Sequence, residues 1–323
     1  MRRELQVTEG SARLKKLEWD ANVVDATSGG TDMTDNSQSD SSFDWTAEEI
    51  EARLGSSTIP FPRDRLLRAE DIEKLREIGI TRIEVCGLGN PGHLDVDDRK
   101  YLSWVRSECE KQGVSVVSTH SPGYLYNSGD EENRKRAVAK GVHAAKVSEE
   151  LGAGVMVCHF KPEEPSEKSV NEMLDQLKSH SIKLAIENGQ DLADYTAFID
   201  KVGSDQFGMV VDVGHTRDED GVNPFIKKDR ARETMAQCSD RLIHLHLHDW
   251  VDQDHFSPLD GAIQWDEIFA AFRDIDYKGW FMFEAAYPPG QRGEVDPNYV
   301  LDKVGAFPRG FIERYGRRAR KAI

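Results

Sequence analysis

From about residue 52 onward, short runs of β-branched and aromatic residues alternate with longer segments whose apolar positions recur at helical spacing. The strand-like runs are STIPF, RIEVCG, VSVVSTH, GVMVCH, KLAIEN, GMVVDV, LIHLHLH and WFMFEA. An amphipathic TAEEIEARL precedes them, and helical patterns lie between and after them. These are AEDIEKLREIG, DDRKYLSWVRSECEKQG, NRKRAVAKGVHAAKVSEELG, VNEMLDQLKSH, DLADYTAFIDKVG, FIKKDRARETMAQC, WDEIFAAFRDI and NYVLDKVGAFPRGFIERYG. Several close on Gly, the residue that ends helices in the left-handed conformation. Eight β-then-α units of about 30 residues predict an α/β fold, a closed parallel (β/α)8 barrel over residues 47–323, in preference to an open doubly wound sheet. GxxxxGK[ST] follows no strand, which removes the usual P-loop.

Residues 26–44 break this pattern: they are rich in Ser, Asp, Thr, Gly and Asn and nearly devoid of apolar side chains. Such a segment buries too little to offset the entropy of ordering, so residues 1–46 are expected to form a low-complexity, disordered N-terminal extension.

Parity along the strands locates candidate chemistry, because alternate side chains of a barrel strand face the axis. In KLAIEN, Ala185 and Glu187 would point inward and Leu184 and Ile186 toward the helices. In GMVVDV the inward pair is Val210 and Asp212. In LIHLHLH the inward set is His244, His246 and His248, with Ile243, Leu245 and Leu247 outward; in WFMFEA it is Met282 and Glu284. Four consecutive strands thus end on an acid or an imidazole at the C-terminal mouth, the face where barrel enzymes keep their active sites.

Carboxylates converging on a narrow mouth repel one another, and a cation resolves the conflict. Glu187, Asp212, His246 and Glu284 form a mixed oxygen and nitrogen set suited to Mn²⁺, Mg²⁺, Co²⁺ or Zn²⁺. Interior ion pairs are the competing reading for any one of these residues; four at equivalent strand ends favour the ion. His120, His159, His215 and His255 fall on the same rim and describe a polar pocket, with Lys161 and Trp250 on neighbouring loops. His244, a layer deeper, is expected to be a hydrogen-bonded core residue, and His248 with Asp249 to orient His246.

Composition narrows the partners. The chain is 38% hydrophobic and 31% charged, ordinary for a folded protein with a sizeable core. No run approaches a membrane span and the first residues lack a secretory signal, so a cytoplasmic location is expected. Cys86, Cys109, Cys158 and Cys238 are scattered without CxxC spacing and read as buried thiols. The net charge of -16 argues against a nucleic-acid partner, which needs clustered Lys and Arg. The expected partner is a small carbohydrate, with neither nucleic acid nor membrane, and a homo-oligomer is compatible with everything above.

The ordered segments IEVCG, THSPGYLYNSGDEENRKRA, ELGAGVMVCH, LAIEN, VVDVGH, HLHLHDW, DHFSPLDGAIQW and YKGWFMFEA resemble the xylose isomerase-like TIM barrel superfamily. That superfamily holds sugar isomerases, ketose 3-epimerases and the endonuclease IV branch of DNA repair enzymes, and the resemblance runs from about residue 52 to the C-terminus. It implies a single-metal site at Glu187, Asp212, His246 and Glu284, with His215 on substrate oxygens. It further implies a metal-dependent sugar or sugar-phosphate isomerase or epimerase, working by proton abstraction beside a carbonyl through a metal-stabilised enediolate. Glu187 and Glu284 would be the catalytic pair, and His120, His159, His255, Lys161 and Trp250 would line the substrate.

Two departures are visible. Where the ketose epimerases carry an Arg shortly past the metal His, this chain has Asp252, and the Asp-x-His pair of the three-zinc endonuclease branch reads Gln253, Asp254, His255. An endonuclease IV-like enzyme acting at abasic DNA with a multi-zinc site is the first alternative. A keto-inositol dehydratase or lyase, or a sugar-binding barrel without turnover, is the second.

Overall fold

The computed structural model describes residues 45–189, 191–251, 253–289, 291 and 296–319. Of the expected 1–46 extension, residues 1–44 lie outside the described residues, as does Asp252; the extension's last two positions are instead part of the fold, Trp45 buried in the core and Thr46 capping the first helix.

A short helix α1 (Ala47–Glu51) leads into eight strands: β1 (Leu54–Ser57), β2 (Arg82–Cys86), β3 (Ser115–His120), β4 (Val155–Cys158), β5 (Lys183–Glu187), β6 (Phe207–Asp212), β7 (Leu242–His246) and β8 (Phe281–Phe283). The sheet order is β7-β6-β5-β4-β3-β2-β1-β8, with every neighbouring pair parallel. The two ends of the sheet meet just beyond β7, where the Leu247 N–H donates to the Met282 carbonyl at 2.8 Å and the Glu284 N–H to the Leu247 carbonyl at 2.9 Å. Each strand is followed by a helix: α2 (Ala69–Glu77), α3 (Arg99–Gln112), α4 (Glu131–Leu151), α5 (Glu164–Leu177), α6 (Leu192–Val202), α7 (Ala231–Ala236), α8 (Trp265–Asp274) and α9 (Pro297–Ala319). The α/β barrel predicted from the pattern is the fold observed.

Local chemistry sets the element boundaries. Asp98, Asp130 and Asp191 accept backbone N–H bonds at the starts of α3, α4 and α6, and Gly113, Gly152 and Gly203 end the same helices at φ of 66°, 102° and 62°. The main core fills the space between strands and helices. Inside the ring a small plug of Val157, Ala185 and Val210, flanked by Val155 and Ile243, supports the polar mouth above it. Trp45 packs edge-on to Phe269 and Phe281 at 5.6 and 5.4 Å, and its Nε1–H donates to the Phe269 carbonyl at 2.7 Å.

Three elements differ from the sequence reading. The first strand covers 54–57 and not the STIPF run at 57–61, because Thr58 leaves the sheet to close a turn with Phe61, whose N–H donates to the Thr58 carbonyl at 3.0 Å. The helix expected over 225–238 is reduced to a 3₁₀ turn at Pro224–Ile226 and the short α7; Asp229, at φ 61°, interrupts it. Ile243 does not face the helices. The pairing shifts between Met209↔Leu242 and Val210↔His244, and this bulge turns Ile243 into the interior plug below His244.

Candidate metal centre at the barrel mouth

Asp212, at the end of β6, is fully buried, and its two oxygens have different surroundings. Oδ1 accepts the backbone N–H groups of Gly214 at 2.8 Å and His215 at 2.9 Å, and the Nε2–H of His248 at 2.8 Å. Oδ2 is buried and has no hydrogen-bond partner among the described residues. The backbone beneath is held by Asn188: the Asp212 N–H donates to Asn188 Oδ1 at 2.7 Å, and Asn188 Nδ2 donates to Thr216 Oγ1 at 3.0 Å.

Glu187, at the end of β5, is ringed by imidazoles. His120 Nε2 and His159 Nε2 lie 3.2 and 3.0 Å from Oε2, while His215 Nδ1 and His246 Nδ1 lie 3.2 and 3.5 Å from Oε1. Burial alone would push the Glu187 carboxyl up; the charge on His246 and the bonds from His120, His159 and His215 hold it well below the usual carboxylate range. His120 donates Nδ1–H to the Ser121 carbonyl at 3.1 Å, which aims Nε2 at Glu187.

His246, at the end of β7, has a different partner on each ring nitrogen. Nε2 meets Glu84 Oε1 at 3.1 Å, and Nδ1 lies 3.0 Å from Glu284 Oε2 without hydrogen-bond geometry, leaving it a buried atom with no partner. Burial disfavours its charged form, but Glu284, Glu84 and Glu187 together raise its pKa well above the usual value. Glu284 is likewise held below the ordinary range, mainly by His246 acting against burial. Single donor atoms of Glu187, Asp212, His246 and Glu284 all lie within 4.8 Å of one another.

The remaining predicted residues are distributed as follows. His215 is clamped between Asp212 and Glu187 on Nδ1 and Asp254 on Nε2, at 3.5, 3.2 and 3.3 Å, and against the cost of burial these acids push it up to about 12. His255, at φ 61°, packs tilted against His248 with 4.3 Å between centroids and donates Nδ1–H to the Glu284 carbonyl at 2.8 Å. His120 and His159 meet edge-on at 4.6 Å. Lys161 is exposed, and its backbone N–H donates to Ser166 Oγ at 3.2 Å. Trp250 is half-buried, 5.7 Å from the Arg217 guanidinium. Thus the six histidines His120, His159, His215, His246, His248 and His255 converge with the three acids, while no hydrogen bond, ion pair or ring contact links Lys161 or Trp250 to this cluster among the described residues.

The orienting roles also differ from expectation. His248 orients Asp212 and not His246, and Asp249 secures the following loop, accepting from Trp265 Nε1 at 2.9 Å and Ile263 N at 3.1 Å. Glu84 on β2, which was not singled out from the sequence, holds both His246 and His244, each at 3.1 Å. Its signal was available: a carboxylate between Ile83 and Val85 in an otherwise apolar strand must find a partner inside. Asp254 has no comparable signal. The four thiols are buried and free, as their spacing implied.

The donor set fits a divalent cation on two counts. Of the five buried side-chain polar atoms without partners among the described residues, two, Asp212 Oδ2 and His246 Nδ1, belong to the same four-residue group as Glu187 and Glu284. The groups within 4.0 Å of these acids are imidazoles, with no Lys or Arg among the described residues to neutralise them permanently.

A parallel barrel with acids and imidazoles gathered at the C-terminal ends of its strands defines a class of barrel proteins built around a metal-capable mouth. The chain belongs to the xylose isomerase-like TIM barrel family, whose model matches residues 72–301. It is similar to an uncharacterized protein of Methanocaldococcus jannaschii, 23% identical over 259 residues that cover 73% of this chain and 84% of that protein. It is also similar to D-psicose 3-epimerase of Enterocloster bolteae, 31% identical over 87 residues, a match confined to 27% of this chain and 25% of the epimerase. The solved structure of 3-keto-D-glucoside 4-epimerase from E. coli superposes with a TM-score of 0.61 at 17% identity, covering 80% of this chain and 99% of that one. No helix among the described residues is long and apolar enough to cross a membrane.

Proposed function

We propose that this protein is a divalent-metal-dependent isomerase or epimerase that moves a proton at the carbon beside the carbonyl of a sugar or sugar phosphate. The observation that carries the reading is the pairing of two buried, partnerless donor atoms, Asp212 Oδ2 and His246 Nδ1, with the Glu187 and Glu284 carboxylates in one cluster. The activities of the psicose and keto-glucoside epimerases to which the chain is similar support it.

Glu187, Asp212, His246 and Glu284 would hold the divalent cation, which would supply Lewis acidity toward a carbonyl oxygen and so acidify the neighbouring C–H. The residues of the chain do the rest. Glu187 is ionised at neutral pH and able to accept the proton; His120 and His159 on Oε2 fix its plane. Glu284, just past the end of β8, is separated from Glu187 on β5 by two strands and can return a proton from another side. Return to the same carbon inverts a centre; return to its neighbour interconverts aldose and ketose. His215, cationic between three acids, could offer Nε2–H to a substrate oxygen only by exchanging its 3.3 Å contact with Asp254.

A second reading draws on the additional groupings His120, His159, Glu187 and Asp212, His215, His248, His255, which resemble the multi-zinc endonuclease arrangement. His248 weakens it: its Nε2–H is spent on Asp212 Oδ1 and its Nδ1 accepts the His255 backbone N–H at 2.8 Å, so neither nitrogen is free to ligate.

The test is a screen of ketoses, aldoses and keto-inositols with added Mn²⁺, read by NMR in deuterated water, together with a metal count. Exchange or epimerisation with about one ion per chain supports the proposal. Water loss from a keto-inositol would move the assignment to a dehydratase, and close to three zinc ions with cleavage of abasic DNA would overturn it.

A further inference from the structure

We propose that Glu84 is a positioning residue for the metal centre, holding the His246 imidazole so that Nδ1 and its lone pair face Glu187, Asp212 and Glu284. The inference deepens the proposed function and rests on its four-residue metal site.

Glu84 lies on β2 and His246 on β7, with β1 and β8 between them in the ring, so their contact runs through the barrel interior and not along the sheet. Glu84 is 0% exposed, and each of its oxygens faces one imidazole: Oε1 meets His246 Nε2 and Oε2 meets His244 Nε2, both at 3.1 Å. A carboxylate oxygen can only accept, so Nε2 of each ring carries the proton. For His246 this leaves Nδ1 as the lone-pair nitrogen of the neutral ring, and Nδ1 is the buried atom that has no protein partner.

The contact to His244 gives the carboxylate a second anchor, so it cannot rotate away from His246. The bulge at the base of β7 supports the same arrangement: the shift between Met209↔Leu242 and Val210↔His244 brings His244 and His246 into phase with Val210 and Asp212. Without Glu84, nothing would hold the proton of a neutral His246 on Nε2, and the Nδ1–H tautomer cannot ligate through the nitrogen that faces the three acids. Carboxylates behind ligating imidazoles fix the ring's tautomer and orientation and make the nitrogen a better donor.

The experiment compares wild-type full chain with Glu84→Gln, a near-isosteric change that removes the charge. Mn²⁺ affinity is measured by the EPR signal of free Mn²⁺, and the His246 Nε2–H resonance is followed by NMR in the Zn²⁺-saturated protein. Loss of the positioning bond should weaken Mn²⁺ binding by about 10- to 100-fold and move the Nε2–H resonance upfield, with the metal-free melting midpoint retained. A folded Glu84→Gln protein that binds Mn²⁺ within about twofold of wild type overturns the proposal, as does an unmoved resonance. If Glu84→Gln does not fold, Glu84→Asp, which keeps the charge one methylene short of His246, is read by the same two outcomes. Wild-type protein that binds no Mn²⁺ defeats the metal site itself; wild type that binds while the variant binds equally defeats only the role of Glu84.

Discussion

The Nε2–H of His248 donates to Asp212 Oδ1 at 2.8 Å, and this bond, with two backbone N–H groups on the same oxygen, leaves Oδ2 as the oxygen free to face the candidate metal centre. The geometry depends on Gly214, over whose Cα the His248 ring lies. A Cβ added there would stand 1.9 Å from His248 Cε1, far inside van der Waals contact. Gly214→Ala should therefore displace His248, cost about 1 to 3 kcal/mol of stability and weaken Mn²⁺ binding. Thermal melting and Mn²⁺ titration check this; an alanine variant that melts and binds like wild type would show that the ring is not constrained as described.

Metal binding should raise thermal stability in proportion to occupancy. At a free Mn²⁺ concentration of 100 times the dissociation constant, a ligand that binds only the folded state stabilises it by about 2.7 kcal/mol. Wild-type protein should show this upward shift of the melting midpoint, and Asp212→Asn should show much less of it. Equal shifts in both would place the ion elsewhere.

Glu187 should be required for exchange as well as for binding. With the site saturated by added metal, Glu187→Gln is expected to lower solvent-deuterium exchange into a substrate by about 10²- to 10⁴-fold, the usual contribution of a positioned base. Exchange that persists at the wild-type rate removes Glu187 from that role.

Trp45 anchors the base of the barrel and not its chemistry. It is 6% exposed, packed against Phe269 and Phe281, with the Arg273 guanidinium 3.7 Å over its ring. Trp45→Ala should cost about 3 to 5 kcal/mol, visible as a lower denaturation midpoint, while kcat at a permissive temperature is unchanged. A variant as stable as wild type would contradict that packing.

Acid sensitivity away from the mouth should report on Glu149 of α4. Its Oε1 accepts Ser181 N and Oγ at 2.5 and 2.6 Å, and with His180 on the other oxygen these bonds lower the carboxyl from the usual 4.5 to about 2. A depressed carboxylate contributes stability that is complete above its unfolded value and is lost as pH falls through the folded one. The gap in melting midpoint between wild type and Glu149→Gln should be widest above pH 4.5 and close as pH falls toward 2. A gap constant over that range would refute the assignment.

The barrel was legible along the chain because its determinants are local. Period-two runs such as GMVVDV, Asp caps and terminal glycines act within a few residues, and the order of eight such units admits few parallel topologies. Parity likewise brought Glu187, Asp212, His246 and Glu284 to one end of the ring before any coordinate was known. Where the expected pattern was overridden, a turn or a bulge was responsible. Thr58 leaves the strand to close its own turn, Asp229 divides the seventh helix, and a bulge in β7 inverts the side on which Ile243 lies.

What the sequence determined by itself is therefore the scaffold and the face on which the acids and imidazoles emerge, since strand periodicity is a property of neighbouring residues. Which nitrogen or oxygen of each group points at the centre was decided only by the folded chain. Glu84 and His246 are 162 positions apart and His248 and Asp212 are 36 apart, and hydrogen bonds across those separations exist only once the ring has closed.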